Sequence, residues 1–223
     1  MDLAELKKQY VIGTELGIDE SFGRILAVID FGNVNYWFNE DRQDAENRAL
    51  KDGETFRIDL VGLHEFVSLF ASDARFYYGH DSQKPESLRF IAAARHMFGG
   101  KKVFTKAIQK VRHHLSPDEL GANTRVTFLD QDGLYVQLPK CNFDVEISVD
   151  AIRLLDKYDT LALFSGDADF ISLIRFLRKR DKKVILFKAG YITSDLRMAA
   201  DKIVNAQQIK RHIARVAKSK DLA

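Results

Sequence analysis

Three short, continuous apolar segments constrain the fold more than any other feature of this 223-residue chain. They span residues 25–29, 161–164 and 184–187, and each is followed by polar or turn-forming residues. A continuous rather than alternating apolar run is typical of a strand that is buried on both faces of a parallel sheet. The three segments therefore predict the inner strands of such a sheet.

Helical patterns alternate with these strands along the chain. Apolar residues recur with helical spacing over residues 60–70, 85–98, 143–155 and 170–180, and residues 74–78 form a fourth candidate strand. Alternating strands and helices are typical of an α/β domain in which right-handed crossovers join the parallel strands. We therefore expect an α/β fold with a mainly parallel central sheet.

The segment from residue 101 to 139 follows a different pattern. It contains two extended stretches, and the second is interrupted at Gln131-Asp132-Gly133, a turn signal between apolar residues that predicts a β-hairpin. We interpret residues 101–139 as a hairpin-containing insertion in a domain that spans residues 24–205. Residues 1–23 are predicted to form an N-terminal helical extension, and residues 206–223 a basic C-terminal tail.

Composition indicates a folded protein from a reducing compartment. Hydrophobic residues make up 46% of the chain and prolines number only 3, which excludes collagen-like and low-complexity proteins. The single cysteine, Cys141, cannot form an intramolecular disulfide, and no segment has the uninterrupted apolar length of a membrane span. We therefore expect a cytoplasmic protein that does not associate with membranes. The net charge of +2 is too small to identify a partner.

Carboxylates follow the predicted strands at the positions where α/β proteins bind their ligands. Asp30 ends the first apolar run, Asp167 and Asp169 follow the second, and Asp144 lies in the first turn of a predicted helix. Because the carboxyl ends of parallel strands meet at one edge of a sheet, these side chains are expected to converge there. Asp150 lies about 240° further round the helix than Asp144, so it is not expected to face the same site.

A group of converging carboxylates favours a metal ion, because like charges repel and a cation neutralises them. Oxygen ligands suit Mg²⁺ or Mn²⁺, and these ions support phosphodiester hydrolysis by activating water and stabilising charge on the attacking and leaving oxygens. The alternative for Asp144 and Asp169 is that each caps a helix or interacts with its dipole. A phosphatase of the haloacid dehalogenase type is disfavoured, because Phe31-Gly32 follows Asp30 and no second aspartate lies two residues on.

Two motifs in the sequence resemble those of a known family. Residues 29–34 form an apolar strand end followed by Asp-x-x-Asn, and residues 165–170 read Ser-Gly-Asp-Ala-Asp-Phe. Together with Lys140 and Asp144, their order and spacing over residues 24–205 resemble the NYN domain, the LabA-like branch of the PIN-like nuclease superfamily. The spacing from Lys140 to Asp144 is longer than the family pattern.

The resemblance implies a three-layer α/β/α, PIN-like (Rossmann-like) fold and divalent-metal-dependent cleavage of RNA. It implies four residues that are both catalytic and metal-binding: Asp30, Asp144, Asp167 and Asp169. It also implies three residues that bind or orient the substrate: Asn33, Ser165 and Lys140. For Asn33 and Ser165 the alternative is local hydrogen bonding within a turn.

Basic and aromatic side chains are candidates for contact with RNA, whose phosphates supply most of the sequence-independent affinity. Two basic clusters stand out: Arg178, Lys179, Arg180, Lys182 and Lys183, and in the tail Lys210, Arg211, Arg215, Lys218 and Lys220. The alternatives are a solvated helix end for the first and a disordered terminus for the second. Tyr36, Trp37 and Phe38 either stack on bases or pack in the core, and His80 is the histidine nearest the expected edge.

Two functions are compatible with these features. The first is a metal-dependent ribonuclease, which needs the full carboxylate set. The second is a non-catalytic RNA-binding or regulatory module with the same fold, for which a homo-oligomeric interface around the hairpin would be evidence. RNA is the expected partner in both cases.

Overall fold

Strands and helices alternate over most of residues 2–218, which are the residues that the computed structural model describes. In chain order they are α1 (Leu3–Gln9), β1 (Ile25–Asp30), α2 (Phe31–Val34), β2 (Glu54–Ile58), α3 (Leu60–Ser68), β3 (Asp73–His80), α4 (Pro85–Phe98), β4 (Val103–Ala107), β5 (Gln109–His114), α5 (Pro117–Leu120), β6 (Thr127–Asp130), β7 (Gly133–Lys140), α6 (Asp144–Arg153), β8 (Thr160–Phe164), α7 (Ile171–Arg178), β9 (Lys183–Lys188), α8 (Ser194–Ala199), β10 (Lys202–Asn205), α9 (Ala206–Ile213) and β11 (Ala214–Lys218). A π-helical segment covers Tyr10–Glu15, and single 3₁₀ turns cover Glu20–Phe22, Gly100–Lys102, Leu155–Lys157 and Ala168–Phe170.

Six parallel strands form the central sheet, in the order β10-β9-β8-β1-β3-β4. The three predicted apolar strands are β1, β8 and β9, and they lie next to one another near its centre. At their carboxyl ends Ile29 is opposite Phe164, and Phe164 is opposite Phe187. The predicted α/β fold with a parallel central sheet is confirmed.

The side chains of the central strands alternate between two apolar layers. In β1, for example, Ile29 points into one layer and Val28 into the other. Helices α2, α3, α4 and α9 cover the first layer, and α6, α7 and α8 cover the second. Phe164 and Phe187 stack within the first layer, with their ring centroids 4.2 Å apart. Helices on both faces of one sheet give the three-layer α/β/α architecture.

The predicted hairpin is part of a separate antiparallel sheet with the strand order β5-β7-β6. The pairing of β6 with β7 begins at Asp130 opposite Gly133, so Gln131 and Asp132 form a two-residue turn. Gly133 has a φ of 120°, which glycine tolerates best. The turn lies one residue earlier than the Asp-Gly pattern suggests, because Gly133 already belongs to the second strand.

The C-terminal segment differs from the predicted basic tail. Helix α9 buries Ile209 and Ile213 completely in the first apolar layer. Strand β11 then pairs with β2, a strand that the sequence analysis did not predict. Residues 206–218 are therefore packed against the body of the protein, whereas Lys220 lies outside the described residues. Within residues 2–218, each helix is too short or too polar to traverse a membrane.

Ile209→Ala tests whether this segment contributes to stability. Because the Ile209 side chain is fully buried, we expect the substitution to lower the free energy of unfolding by about 2–5 kcal/mol. Arg215→Ala is the control, since its ion pair with Asp59 at 3.4 Å is largely exposed and such pairs contribute about 0–1 kcal/mol. Urea unfolding followed by circular dichroism measures both. Equal effects of the two substitutions would contradict the packed arrangement.

Candidate metal centre

Four aspartates lie where three segments of the chain meet at the carboxyl edge of the central sheet. Asp30 is the last residue of β1, Asp144 is the first residue of α6, and Asp167 and Asp169 belong to the turn after β8. Asp144, Asp167 and Asp169 each offer a carboxylate oxygen, and these three oxygens all lie within 4.8 Å of one another. Three of the four aspartates singled out in the sequence thus form a compact group.

Ser165 connects Asp30 to this group. Its side chain is fully buried, and its Oγ donates a hydrogen bond to Asp30 Oδ2 at 3.1 Å while accepting one from the Asp167 N–H at 3.3 Å. A hydroxyl can do both at once, because it has one hydrogen and two lone pairs. Ser165 therefore positions the carboxylate at the end of β1 relative to the turn after β8.

Asn33 holds the same two segments together. Its Oδ1 accepts hydrogen bonds from Trp37 Nε1 at 2.9 Å and from the Gly166 N–H at 3.2 Å. Its Nδ2 group makes no hydrogen bond to the rest of the described chain. The side-chain oxygen of Asn33 thus accepts hydrogen bonds from the protein itself, whereas its NH₂ group can donate hydrogen bonds to a ligand. Of the neighbouring aromatic residues, Trp37 and Phe38 are buried, as expected for core packing.

Neither Asp144 nor Asp169 is an N-cap residue. The N-cap position of α6 is Phe143, and the preceding Asn142 forms a turn with Asp144: its Oδ1 accepts the Asp144 N–H at 2.7 Å and its Nδ2 donates to Asp144 Oδ2 at 2.5 Å. At the 3₁₀ turn the N-cap is Asp167, which accepts the Asp169 N–H at 3.0 Å. The sequence analysis missed Asn142, although an asparagine two residues before a helical aspartate is a recognisable turn signal.

The four aspartates carry negative charge that no ion pair compensates within residues 2–218. The pKa of Asp30 is raised to about 6, chiefly by burial and to a smaller extent by the charges of Asp144 and Asp167, while hydrogen bonds from Ser165 and the Asn33 backbone act in the opposite direction. Burial also raises the pKa of Asp144, as do the charges of Asp167 and Asp169. This is the electrostatic condition under which a carboxylate group binds a cation.

The basic cluster near β9 lies at the opposite edge of the sheet. Lys183 is opposite Thr160, the first residue of β8, whereas the aspartates follow the last residue of that strand. The side chains there have structural partners: Arg178 forms an ion pair with Asp201 at 3.3 Å, and Lys183 donates to the Ser21 carbonyl at 2.6 Å. Because parallel strands all begin at one edge, this cluster does not approach the aspartates.

The described cations of the C-terminal segment mostly pair with acidic residues of the same chain. The ion pairs are Lys210 with Asp41, Arg211 with Glu15, and Arg215 with Asp59. Lys140, in contrast, is exposed at the end of β7, and its backbone pairs with Gln109. It has no ion pair with a described carboxylate.

Asp150 and Lys188 are two further charged residues near these strands. Asp150 points away from the aspartate group, as predicted, and accepts a hydrogen bond from the Tyr77 hydroxyl at 2.7 Å. Lys188 ends β9 at the same edge as the aspartates, is 8% exposed, and donates to the Gly190 carbonyl at 2.6 Å. The sequence analysis missed Lys188, although a charged residue that closes an apolar run is the signal that identified Asp30.

Comparison with known proteins identifies related sequences. The family profile described as "NYN domain" matches residues 43–207. This range contains Asp144, Asp167 and Asp169, whereas Asp30 and Asn33 precede it. The chain is also similar to the low amplitude and bright protein LabA of Synechococcus elongatus, with 33% identity over 75 residues. That match covers 33% of this chain and 40% of LabA, so less than half of LabA is represented.

A solved structure supports the fold. The chain is similar to a protein of unknown function from Vibrio parahaemolyticus, with a TM-score of 0.54 and 21% sequence identity. The match covers 84% of this chain and 94% of the other. At this level of identity the likeness concerns the fold alone, and it agrees with the parallel sheet and flanking helices described above.

Asp30→Asn tests how much the buried negative charge of Asp30 lowers the stability of the folded protein. Because the pKa of Asp30 is about 6 in the folded protein against an ordinary 3.8, wild-type stability in metal-free buffer should fall between pH 4 and pH 6 and stay low above pH 6. We expect Asp30→Asn to raise the free energy of unfolding by up to about 3 kcal/mol at pH 8 and by much less at pH 4. Urea titrations at both pH values measure it, with exposed Asp195→Asn as the control. The same pH dependence in wild type and Asp30→Asn would contradict this assignment.

Proposed function

The chain belongs to the NYN domain family, and from this premise we propose that it is a divalent-metal-dependent ribonuclease that hydrolyses RNA phosphodiester bonds. One observation carries the proposal: Asp144, Asp167 and Asp169 form an uncompensated acidic group at the carboxyl edge of the sheet. Membership in the family supports a nuclease-like or RNA-related function. The reaction, the metal and the roles of the individual residues are our proposal.

The proposed metal is Mg²⁺ or Mn²⁺, held by Asp30, Asp144, Asp167 and Asp169. The three-aspartate group offers only hard oxygen donors, which suit these ions better than metals that prefer thiolate or imidazole ligands. Mg²⁺ in particular is usually bound by a few carboxylates and keeps waters that a phosphate group can replace. The uncompensated charge and the raised pKa values of Asp30 and Asp144 also fit a site that gains stability from a cation.

The residues around the aspartates prepare the site for a phosphodiester. When bound, the ion would supply an activated water and would stabilise charge on the phosphate oxygens. Ser165 holds Asp30 at the end of β1, and Asn142 holds Asp144 at the start of α6. Carboxylates fixed in this way need little reorganisation when the substrate arrives. The Nδ2 group of Asn33 and the Nζ group of Lys140 are the proposed donors to the RNA phosphate.

Asp167→Asn provides the direct test of catalysis. The substitution removes one negative charge but keeps an oxygen that can accept the Asp169 N–H, so the local turn should survive. We expect the rate at which end-labelled single-stranded RNA is cleaved with Mn²⁺ or Mg²⁺ to fall about 100-fold or more, and EDTA to abolish cleavage by the wild type. Asp195→Asn, an exposed aspartate at the start of α8, should keep wild-type activity.

The same assay decides between the two functions. If the wild type with metal leaves RNA intact but still binds it, the catalytic proposal is overturned and the protein is a non-catalytic RNA-binding module. Cleavage that Asp167→Asn does not reduce would place the reacting centre elsewhere.

Metal binding has a readout that does not depend on cleavage. A ligand that binds only the folded state stabilises it by mass action, by about 2.7 kcal/mol at 100 times its dissociation constant. Mn²⁺ should therefore raise the midpoint of thermal unfolding of the wild type and of Asp195→Asn, but much less that of Asp167→Asn. Equal shifts in the three proteins would show that the ion binds outside the aspartate group.

RNA is the partner that this function requires. A homo-oligomer and a cytoplasmic location stay predictions from the sequence. The single cysteine, Cys141, is compatible with a reducing compartment.

A further inference from the structure

We propose that a groove between the carboxyl ends of β3 and β4 and the antiparallel sheet β5-β7-β6 binds the part of a single-stranded RNA that flanks the cleaved bond. The identification of the ligand as RNA rests on the proposed function. It adds a binding surface outside the aspartate group and a preference for unpaired RNA. Of the residues that we assign to it, the sequence analysis named Tyr36 as a candidate for stacking on bases and His80 as the histidine nearest the expected edge of the sheet; the others come from the structure.

The groove is large and lies at the carboxyl ends of β3 and β4. Its main cavity has a volume of about 1140 Å³ and is lined by Tyr78 and His80 of β3, by Ala107 at the end of β4, and by residues of the antiparallel sheet such as Lys110 and Gln137. His80 Nδ1 is buried and has no hydrogen-bond partner within residues 2–218. The cavity therefore has polar groups as well as space.

A smaller cavity adjoins the main one and reaches residues next to the metal centre. It has a volume of about 210 Å³, and the residues that line both cavities include Tyr36, Tyr78 and Ile108. Its lining also includes Gly32 and Phe143, which precede Asn33 and Asp144 in the chain. A Cβ atom on Gly32 would lie 3.4 Å from Asp30 Oδ1, so this cavity lies close to the carboxylate of Asp30. An RNA strand whose phosphate lies at the aspartates could therefore continue along the carboxyl ends of the β-strands into the main cavity.

Two exposed aromatic side chains belong to the lining of the groove. Tyr36, just after α2, is 66% exposed, and Phe128, on β6, is 41% exposed. Tyr78, in contrast, packs against Phe31 and Phe90, with ring centroids 5.6 and 4.8 Å away, and so forms a fixed wall. Exposed aromatic rings beside a cationic groove are typical stacking platforms for unpaired bases.

The groove also carries uncompensated positive charge. Its lining includes Arg57, Lys84, Lys110 and Arg125, and none of these four forms an ion pair with a carboxylate of residues 2–218. The lining contains only two acidic residues, Asp81 and Glu86. The two basic clusters identified in the sequence behave differently, because several of their members are engaged in ion pairs or backbone contacts. The cations available to phosphates therefore lie on the hairpin side of the aspartates.

The geometry favours unpaired over duplex RNA. A base reaches Tyr36 or Phe128 only if it is unstacked from its neighbours, and in an A-form duplex the bases stay stacked inside the helix. Residues of the central sheet line one part of the groove and residues of the antiparallel sheet line another, so the groove has two walls. The groove has exposed aromatic rings, cations without ion pairs and a smaller adjoining cavity that reaches residues next to the aspartates. These features together favour single-stranded RNA as the ligand over a folded protein or duplex RNA.

The test measures binding in the absence of cleavage. Fluorescence anisotropy of the full chain with a labelled single-stranded RNA of mixed sequence, in EDTA, reports affinity without any need for catalysis. We expect Tyr36→Ala and Phe128→Ala each to weaken binding at least about fivefold. Lys110→Gln combined with Arg125→Gln should reduce the slope of log affinity against log salt by about 1.4, since each lost phosphate contact on a single strand contributes about 0.7.

Matched controls are exposed residues far from the groove. Tyr10→Ala removes a tyrosine that is 54% exposed, and Lys157→Gln combined with Lys179→Gln removes two exposed cations near the opposite edge of the sheet. These variants should bind RNA like the wild type. The blunt-ended duplex of the same RNA with its complement should bind at least about tenfold more weakly. Circular dichroism melts check that every variant is folded.

The outcomes separate this inference from the proposed function. If the groove variants bind like the controls, or if duplex RNA binds as well as single-stranded RNA, the groove does not hold a single strand and the inference is overturned, even where the wild type cleaves RNA. If the groove variants lose affinity while the wild type with metal never cleaves, the groove is supported and the ribonuclease proposal fails. Absence of RNA binding by the folded wild type overturns the inference, and the groove would then serve another ligand.

Discussion

The parallel pairing of β1 with β8 is the constraint on which the rest of the structure depends. Ile29 lies opposite Phe164, so Asp30 and Ser165 leave the sheet side by side and their side chains can form a hydrogen bond. Because every strand of a parallel sheet ends at the same edge, distant parts of the sequence deliver their charged residues to one place. A shift of one residue in this pairing would turn the Asp30 side chain to the other face of the sheet.

The acidic group is tolerated because the scaffold below it is well packed. All five residues of β8 are buried, and the stacked rings of Phe164 and Phe187 lie directly before the site residues in the sequence. Close packing of this kind limits how far the strand ends can move apart when like charges repel. The protein therefore holds Asp30 in a position where its charge is unfavourable, an arrangement typical of functional sites that are organised before the ligand binds.

The sequence predicted an element well where a pattern of neighbouring residues is enough to determine its secondary structure. The continuous apolar runs predicted β1, β8 and β9, and the helical spacing predicted α4 with its observed bounds. It failed for β2 and β11, because these short strands contain no continuous apolar run and are stabilised by pairing with each other over a separation of more than 150 residues. Two further features were readable in the sequence but were not used. Residues 178–183 directly precede the apolar run 184–187, which places them at the opposite end of the sheet from residues that follow such runs. Asn142 stands two residues before Asp144, a spacing typical of a turn that precedes a helix.

The contacts of α9 have a consequence for the order in which parts of the site form during synthesis. Gln207 and Lys210 both bind Asp41, which lies in the loop that follows the Asp30 and Asn33 segment. During synthesis Asp30 leaves the ribosome long before residues 206–218. The contacts that hold the loop after Asp30 and Asn33 can therefore form only when a much later part of the chain has been made. The loop beside Asp30 and Asn33 therefore gains these contacts only after residues that lie 166 and 169 positions later in the chain than Asp41 have been synthesised.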